Sequence, residues 1–526
     1  MASNVIEWPA IVGPSYRYQS YPIDCQECIN FEPVKVNSEA SRSRKMLIGT
    51  PGRRRVRFRL DGAVYQSLPS DGKFVRGFHR CQTGFNNFTT PALVAVCGTD
   101  VWEISRPDKD LVCDIRKVGT IPDGGRVSIA DGGGDHGSKA PPILLIGDGT
   151  TYYYSEMDYS GFTSLGSGAP NYPTDLAFLD RRIYSCGPDN SNSANTQNTS
   201  HIYWSAINDP STWDGSCISS QVYGSPVLAI EAAGNSLWIL GGDYFEVWQT
   251  SSSVIVPIKR VSGGQNGVGT SSGKSVASIG GEVFFVGGGP SGHCGIFRGN
   301  GTKIDNVATD AMKDELSRYS TLEDATGFCY SDEGRPYYVV TFPSEDVTWV
   351  YNIKDECWHR RAKRDERNEF HHWDVAYCEF NWGMNFVASI DSPDIFVIDR
   401  DCYTDDGKRI VRERRCPHIV DGDSVMVHGS LSIGVETGVG LVTSPNKEDM
   451  EPQIMLSWFD SSRGGSRGYS REFWRSVGRA GQSGTRVKWY GLGSSRDRVY
   501  VLRVSAAVRW CIYDAFIGVS KGAGGL

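Results

Sequence analysis

The segment Gly267-Val268-Gly269-Thr270-Ser271-Ser272-Gly273-Lys274-Ser275 ends like a phosphate-binding loop. Such a loop needs Gly, four residues and then Gly-Lys-Ser, between a buried strand and a helix whose N-terminal N–H groups face the phosphates. Here Val268 holds the first position, and Val276-Ala277-Ser278-Ile279-Gly280-Gly281 reads as a strand entering a hairpin, so no nucleotide or other cofactor is expected. Asp131-Gly132-Gly133-Gly134-Asp135-His136-Gly137 offers an Asp–His neighbour pair. It lacks the alternating oxygen ligands and closing Glu of a calcium loop, and no nucleophile accompanies it. Cys25 and Cys28 have zinc-ligand spacing without a second pair, and neither His79 with Cys81 nor His371 with His372 has a visible partner set. No metal site and no catalytic residue are therefore expected. A glycosidase would need two facing carboxylates, and no stretch nominates a pair among the 61 acidic residues.

Two basic clusters are the remaining candidates. Arg42, Arg44, Lys45, Arg53, Arg54 and Arg55 crowd near the N-terminus with Arg57 and Arg59, and Arg360 and Arg361 open a second group. Lys and Arg bind nucleic-acid phosphates without reading sequence. Acidic residues interleave with the second group (Asp365, Glu366), and the chain carries a net charge of −7. Solvated or subunit-facing ion pairs are the favoured reading, with transient DNA contact as the alternative. A general nucleic-acid-coating protein is excluded by the missing basic excess.

The elements that must position these residues are short strands. With 61 Gly, 24 Tyr and 14 Trp in 526 residues, the composition favours strands and tight turns over helices. A hairpin pattern, apolar strand then Gly/Asp/Asn turn then apolar strand, recurs at Gly98, Gly149, Asp180, Gly234, Gly280 and Gly334. The intervals are mostly about fifty residues, the length of one four-stranded propeller blade. The predicted fold is all-β: a β-propeller over residues 75–399, followed by a C-terminal β-sandwich platform over 400–526. Stacked sandwiches are the alternative. One helix is predicted within Thr309–Ser320, with Met312, Leu316 and Tyr319 on one face. Residues 1–74, low in periodicity and rich in Pro, read as an extended arm that gains order by lying against a partner or its own platform.

No targeting segment is visible near Met1, and the longest apolar stretches are strand-sized, so a soluble protein made in the cytoplasm, without membrane insertion, is expected. The 14 cysteines are scattered through apolar runs, as at Cys97, Cys186, Cys329, Cys378 and Cys511, and are expected to be buried free thiols.

Several segments carry a resemblance. They include His201-Ile202-Tyr203-Trp204-Ser205-Ala206 with Asp209-Pro210-Ser211-Thr212-Trp213, and Leu237-Trp238-Ile239-Leu240-Gly241 with Phe245-Glu246-Val247-Trp248. The closing block, Pro452-Gln453-Ile454-Met455-Leu456-Ser457-Trp458 with Trp474-Arg475-Ser476-Val477-Gly478-Arg479, is the most distinctive. In order along almost the whole chain, these resemble the packaged-DNA stabilisation, or tail hub (nozzle), proteins of short-tailed bacteriophages. Ser461–Ser470 departs from the pattern with Arg and Ser in place of an Asp/Gly-rich hairpin. The resemblance implies a non-enzymatic virion protein: a hexameric ring in the tail, below the portal and its head-to-tail adaptor protein, assembled in the host bacterial cytoplasm. Such a ring extends the DNA channel, retains the packaged genome and anchors a tail needle (plug) or a tail fibre or spike. A tail-associated glycan-binding or glycan-cleaving propeller is the rival reading. A cellular scaffold is disfavoured, because no WD or kelch repeat is visible.

Overall fold

The computed structural model describes residues 4–17, 24–36, 45–85, 90–132, 142–166, 169–170, 172–187, 201–219, 225–253, 256–288, 294–460, 470–482, 484 and 486–521. Nearly all of them that are regular are strands, and the predicted hairpins are all formed. Their turns show why local sequence sufficed: Gly280 and Gly281 both take positive φ between paired Ile279 and Glu282, as a two-residue turn requires. Asp180 and Arg181 make the same turn without glycine, between Leu179 and Arg182. The predicted helix is Asp310–Leu316, capped by Thr309 and burying Met312 and Leu316.

Six blades are built from consecutive antiparallel strands, with inner strands Val75–Cys81, Ser128–Gly132, Asp175–Leu179, Val227–Ala233, Ala277–Ile279 and Thr326–Asp332. A composite sheet closes the ring. Its inner strand, Val375–Asn381, packs between those of blades six and one. Its next two strands are Met384–Ser389 and Ile395–Asp399, and its fourth, Gly52–Arg55, comes from the N-terminal segment. Each gap between sheets holds its own apolar core, such as Val94, Val96, Leu144 and Ile146 between blades one and two. Strands buried on both faces read as unbroken apolar runs, as in the fully buried Ala92–Cys97.

Beyond residue 399 the chain adds two facing sheets around one large core that includes Phe31, Leu431, Trp489, Leu502 and Ile517. One sheet is continuous with blade six: Cys357–Arg360 pairs with Cys25–Ile29, which pairs with Arg412–Arg415, followed by Asp497–Val504 and Gln453–Asp460. The other contains Phe31–Lys35, Lys45–Gly49, Cys511–Lys521 and Met426–Val435. The N-terminal segment is thus distributed over both layers as short strands, several of them paired with distant parts of the chain. No helix among the described residues is long and apolar enough to cross a membrane, and the described cysteines are free thiols.

Candidate functional site

The inner strands enclose an axial cavity of about 690 Å³. Strand alternation sends one residue set of each inner strand to the axis, and there three mostly apolar strands each carry a single carboxylate: Asp175, Glu231 and Glu379. Asp175 accepts hydrogen bonds from Ser128 Oγ (2.7 Å), Leu176 N (2.9 Å) and Ile230 N (3.2 Å), tying blades two, three and four together. Ser278 Oγ donates to Glu231 at 2.6 Å. Burial raises all three carboxyls, and Glu231 is pushed up to about 7, with Asp175 and Glu379 adding to the effect. Glu231 therefore favours folding at acid pH, where it is protonated, and that contribution is lost as pH rises through about 7.

Two cations face these acids. Arg126 lies 4.3 Å from the Tyr377 ring centroid, and its Nη1 has no hydrogen-bond partner. Lys274, from the motif that resembles a phosphate loop, also lines the cavity, and burial together with Arg126 lowers its pKa. The Gly273–Ser275 turn is one 3₁₀ turn followed by strand Ala277–Ile279, which is the hairpin the sequence predicts. The cavity is a polar chamber of mixed charge, suited to water and small ions.

The basic residues singled out in the sequence converge elsewhere, on the junction between propeller and platform. Arg53 is buried and paired with Asp374 (2.6 Å) and Asp405, with its guanidinium 4.1 Å from the Phe396 ring centroid. Arg55 pairs with Asp394 and Asp406. Arg361 is buried, donates to Pro51 O at 2.7 Å and stacks 3.6 Å from the Trp373 ring centroid. Arg360 lies 3.6 Å from Glu27. All four are engaged within the chain: Arg53 and Arg361 are buried, whereas Arg55 and Arg360 keep 26% and 15% of their side chains exposed. The carboxylates that pair with Arg53, Arg55 and Arg360 lie far away in sequence. Arg54, half exposed and paired with Asp399, and Lys45, exposed on its strand, remain at the surface. Arg42 and Arg44 lie outside the described residues, as do most of the Asp131–Gly137 loop and residues 461–469.

Sequence reading missed the centre of this junction. Arg412, Glu413, Arg414 and Arg415 form a strand whose four residues are all buried. Arg415 pairs with Glu27 (3.1 Å) and Glu413 with Arg503 (2.7 Å) across neighbouring strands. Burial would raise the Glu27 carboxyl, but Arg415, Arg360 and Arg17 outweigh it and hold it below the usual range. Arg412 donates to Ile410 O and Thr50 O (both 3.2 Å), and burial lowers its pKa to about 9. Asn30, in the left-handed region, donates to Ala362 O (2.9 Å) and Val411 O (2.8 Å) and accepts from Ala362 N, so one side chain bridges three segments. The signal available was the alternation of sign in Arg-Glu-Arg-Arg, which suits cross-strand pairing as well as it suits solvent.

Two further clusters hold groups with chemical potential. Cys25 and Cys28, three apart on a strand, point to opposite faces, so their spacing cannot close on one metal. Cys25 Sγ instead meets His418 Nε2 at 3.4 Å, and His418 Nδ1 meets Asp497 Oδ1 at 2.7 Å. Burial opposes protonation of His418, but Asp497 and Cys25 outweigh it and lift the imidazole to about 10. The thiol is fully enclosed, which makes this relay a buried polar network. Trp248 and Trp358 are buried and Trp213 packs on Tyr152, whereas Trp474 is 42% exposed and Tyr490 69%.

Comparison with known proteins returns one family: the model described as "Bacteriophage P22 Gp10, beta-propeller" matches residues 62–402. No curated protein matches. Among solved structures, the computationally designed Ika8 protein is 13% identical, with a TM-score of 0.35, covering 71% of this chain and 100% of its own. The N-terminal domain of Nup159 is 10% identical (TM-score 0.37; 69% and 97% covered). YCF48 from Cyanidioschyzon merolae is 12% identical (TM-score 0.37; 63% and 97% covered).

Proposed function

The chain belongs to the bacteriophage P22 Gp10 β-propeller family of packaged-DNA stabilisation proteins, and on that premise we propose that it is a tail-hub (nozzle) subunit. Identical copies form a ring, hexameric by this reading, below the portal and its adaptor protein. The ring extends the DNA channel, retains the packaged genome and anchors a needle or fibres, without catalysis. It works in the virion tail and is assembled in the host cytoplasm. The observation that carries this reading is the family match over residues 62–402, which include the inner strands of all the propeller sheets.

Physical features support it. A ring that resists genome pressure needs a subunit that does not flex between its layers, and here a sheet shared by blade six and the platform joins them. A closed ring needs two different patches per subunit, and Trp474 and Tyr490 are exposed aromatics of the type that anchors interfaces. Because most of the flagged arginines are engaged internally, passing DNA meets few strong cationic grips from them, as a conduit requires.

The test is add-back to DNA-filled heads that carry portal and adaptor but lack this protein. Their genome is expected to be digested by added nuclease, and purified protein is expected to restore protection in proportion to ring occupancy. Protection without the protein, or none on saturating addition, contradicts the reading. The axial carboxylates are the observation that favours the rival glycan-directed reading, and robust turnover of host envelope polysaccharide by the purified chain would establish it.

A further inference from the structure

His79 and Cys81 stand two apart on the inner strand of blade one, so both side chains leave the same face of that strand. The sequence offers them no third partner, but the fold does. Asp131, on the inner strand of blade two, brings a carboxylate to the same place, and one ligand atom from each of the three lies within 4.8 Å of the others. His79 Nε2 is 2.8 Å from Asp131 Oδ1. Both groups are backed from behind. The other Asp131 oxygen accepts the Gln82 N–H at 2.7 Å, and His79 Nδ1 faces Glu379 Oε1 at 4.0 Å.

We propose that His79 Nε2, Cys81 Sγ and an Asp131 oxygen bind a divalent transition-metal cation of the zinc class, clipping blade one to blade two beside the axial cavity. The donor set is a mixed N, S, O trio, which suits a borderline-soft tetrahedral ion and disfavours calcium or magnesium. Bond lengths of about 2.0–2.3 Å place tetrahedral donors roughly 3.3–3.7 Å apart, so the His79–Asp131 pair opens by about half an ångström to admit the ion. Glu379 then accepts a hydrogen bond from the distal ring nitrogen, the usual outer partner of a metal-bound histidine. On binding, the Cys81 S–H bond breaks, sulfur keeps the electron pair for the metal, and the proton passes to solvent. Thiolate and carboxylate together neutralise the 2+ charge of the ion. His79, 25% exposed, lines the axial cavity and gives the ion its entry path.

The test uses the full-length protein, stripped of metal and titrated with Zn²⁺ against a chromophoric chelator, and with Co²⁺ as a spectroscopic stand-in. One tight equivalent per chain is expected, with a thiolate-to-cobalt charge-transfer band that Cys81→Ser, nearly isosteric, abolishes. Glu379→Gln is expected to weaken binding by roughly 10–100-fold, and Asp131→Asn by at least as much. His371→Gln, which disrupts the separate Asp365, Glu369 and His371 group, is expected to change nothing. Wild-type protein that binds no more zinc than Cys81→Ser, or a cobalt spectrum without a thiolate band, overturns the proposal. The cobalt spectrum needs only wild-type protein, so a variant that fails to fold leaves the outcome decidable.

Discussion

Arg414→Ala is expected to destabilise the chain by about 4 kcal/mol, at the upper end for a single substitution. The Arg414 side chain is fully buried and donates to Ile11 O (2.9 Å), Pro14 O (3.0 Å), Ala10 O (3.1 Å) and Gln26 Oε1 (2.8 Å). It holds the turn that begins the N-terminal segment against the strand that the propeller and platform share. Truncation strips several buried acceptors of their donor at once, each roughly 1–3 kcal/mol if water cannot enter. Arg414→Met keeps most of the stem and none of the donors, so it separates packing from hydrogen bonding. Chemical-denaturation midpoints check the magnitude, and protease cleavage near residues 8–17 checks the location. Methionine behaving like wild type would assign the role to the stem alone.

Gly52→Ala is expected to cost about 3 kcal/mol and to release the fourth strand of the closing sheet. Gly52 pairs with Asp399 and donates to Cys402 O at 2.7 Å. A β-carbon there would stand 2.1 Å from Thr404 O and 2.7 Å from Cys402 O. Both are backbone atoms that no rotamer change can move, so the strand must back away, and overpacking of this kind costs about 1–3 kcal/mol or more. Backing away also strains the Arg53 pairs with Asp374 and Asp405. Arg54→Ala, on the same strand but half exposed, is the control and is expected to change stability by less than about 1 kcal/mol. Hydrogen exchange of the Ile395–Asp399 amides reports the opening directly. Equal protection in the Gly52→Ala and Arg54→Ala proteins would refute it.

How much of this was legible in the sequence follows from the distances involved. Turn chemistry is local, so hairpins such as Cys97–Asp100 and Asp332–Arg335 could be read from residues adjacent to one another. The closing sheet could not be, because Arg55 finds Phe396 across more than three hundred residues, and nothing around Gly52 names that partner. Charge was the weakest guide. The Arg53–Arg55 run read as solvated or partner-facing, whereas the acids that pair with it arrive from Asp374, Asp394 and Asp405. The same limit hid the axial acids and the third neighbour of His79 and Cys81, since only the packing of blade two on blade one brings Asp131 beside them. Cys25 and Cys28 make the converse point: motif spacing assumes a turn, and this segment is a strand.

Imaging of tails from virions lacking this protein, beside wild-type virions, tests the tail-hub reading most directly. The account predicts that the mutant particles lose a ring below the adaptor and leak DNA. An intact tail that retains its genome would contradict it.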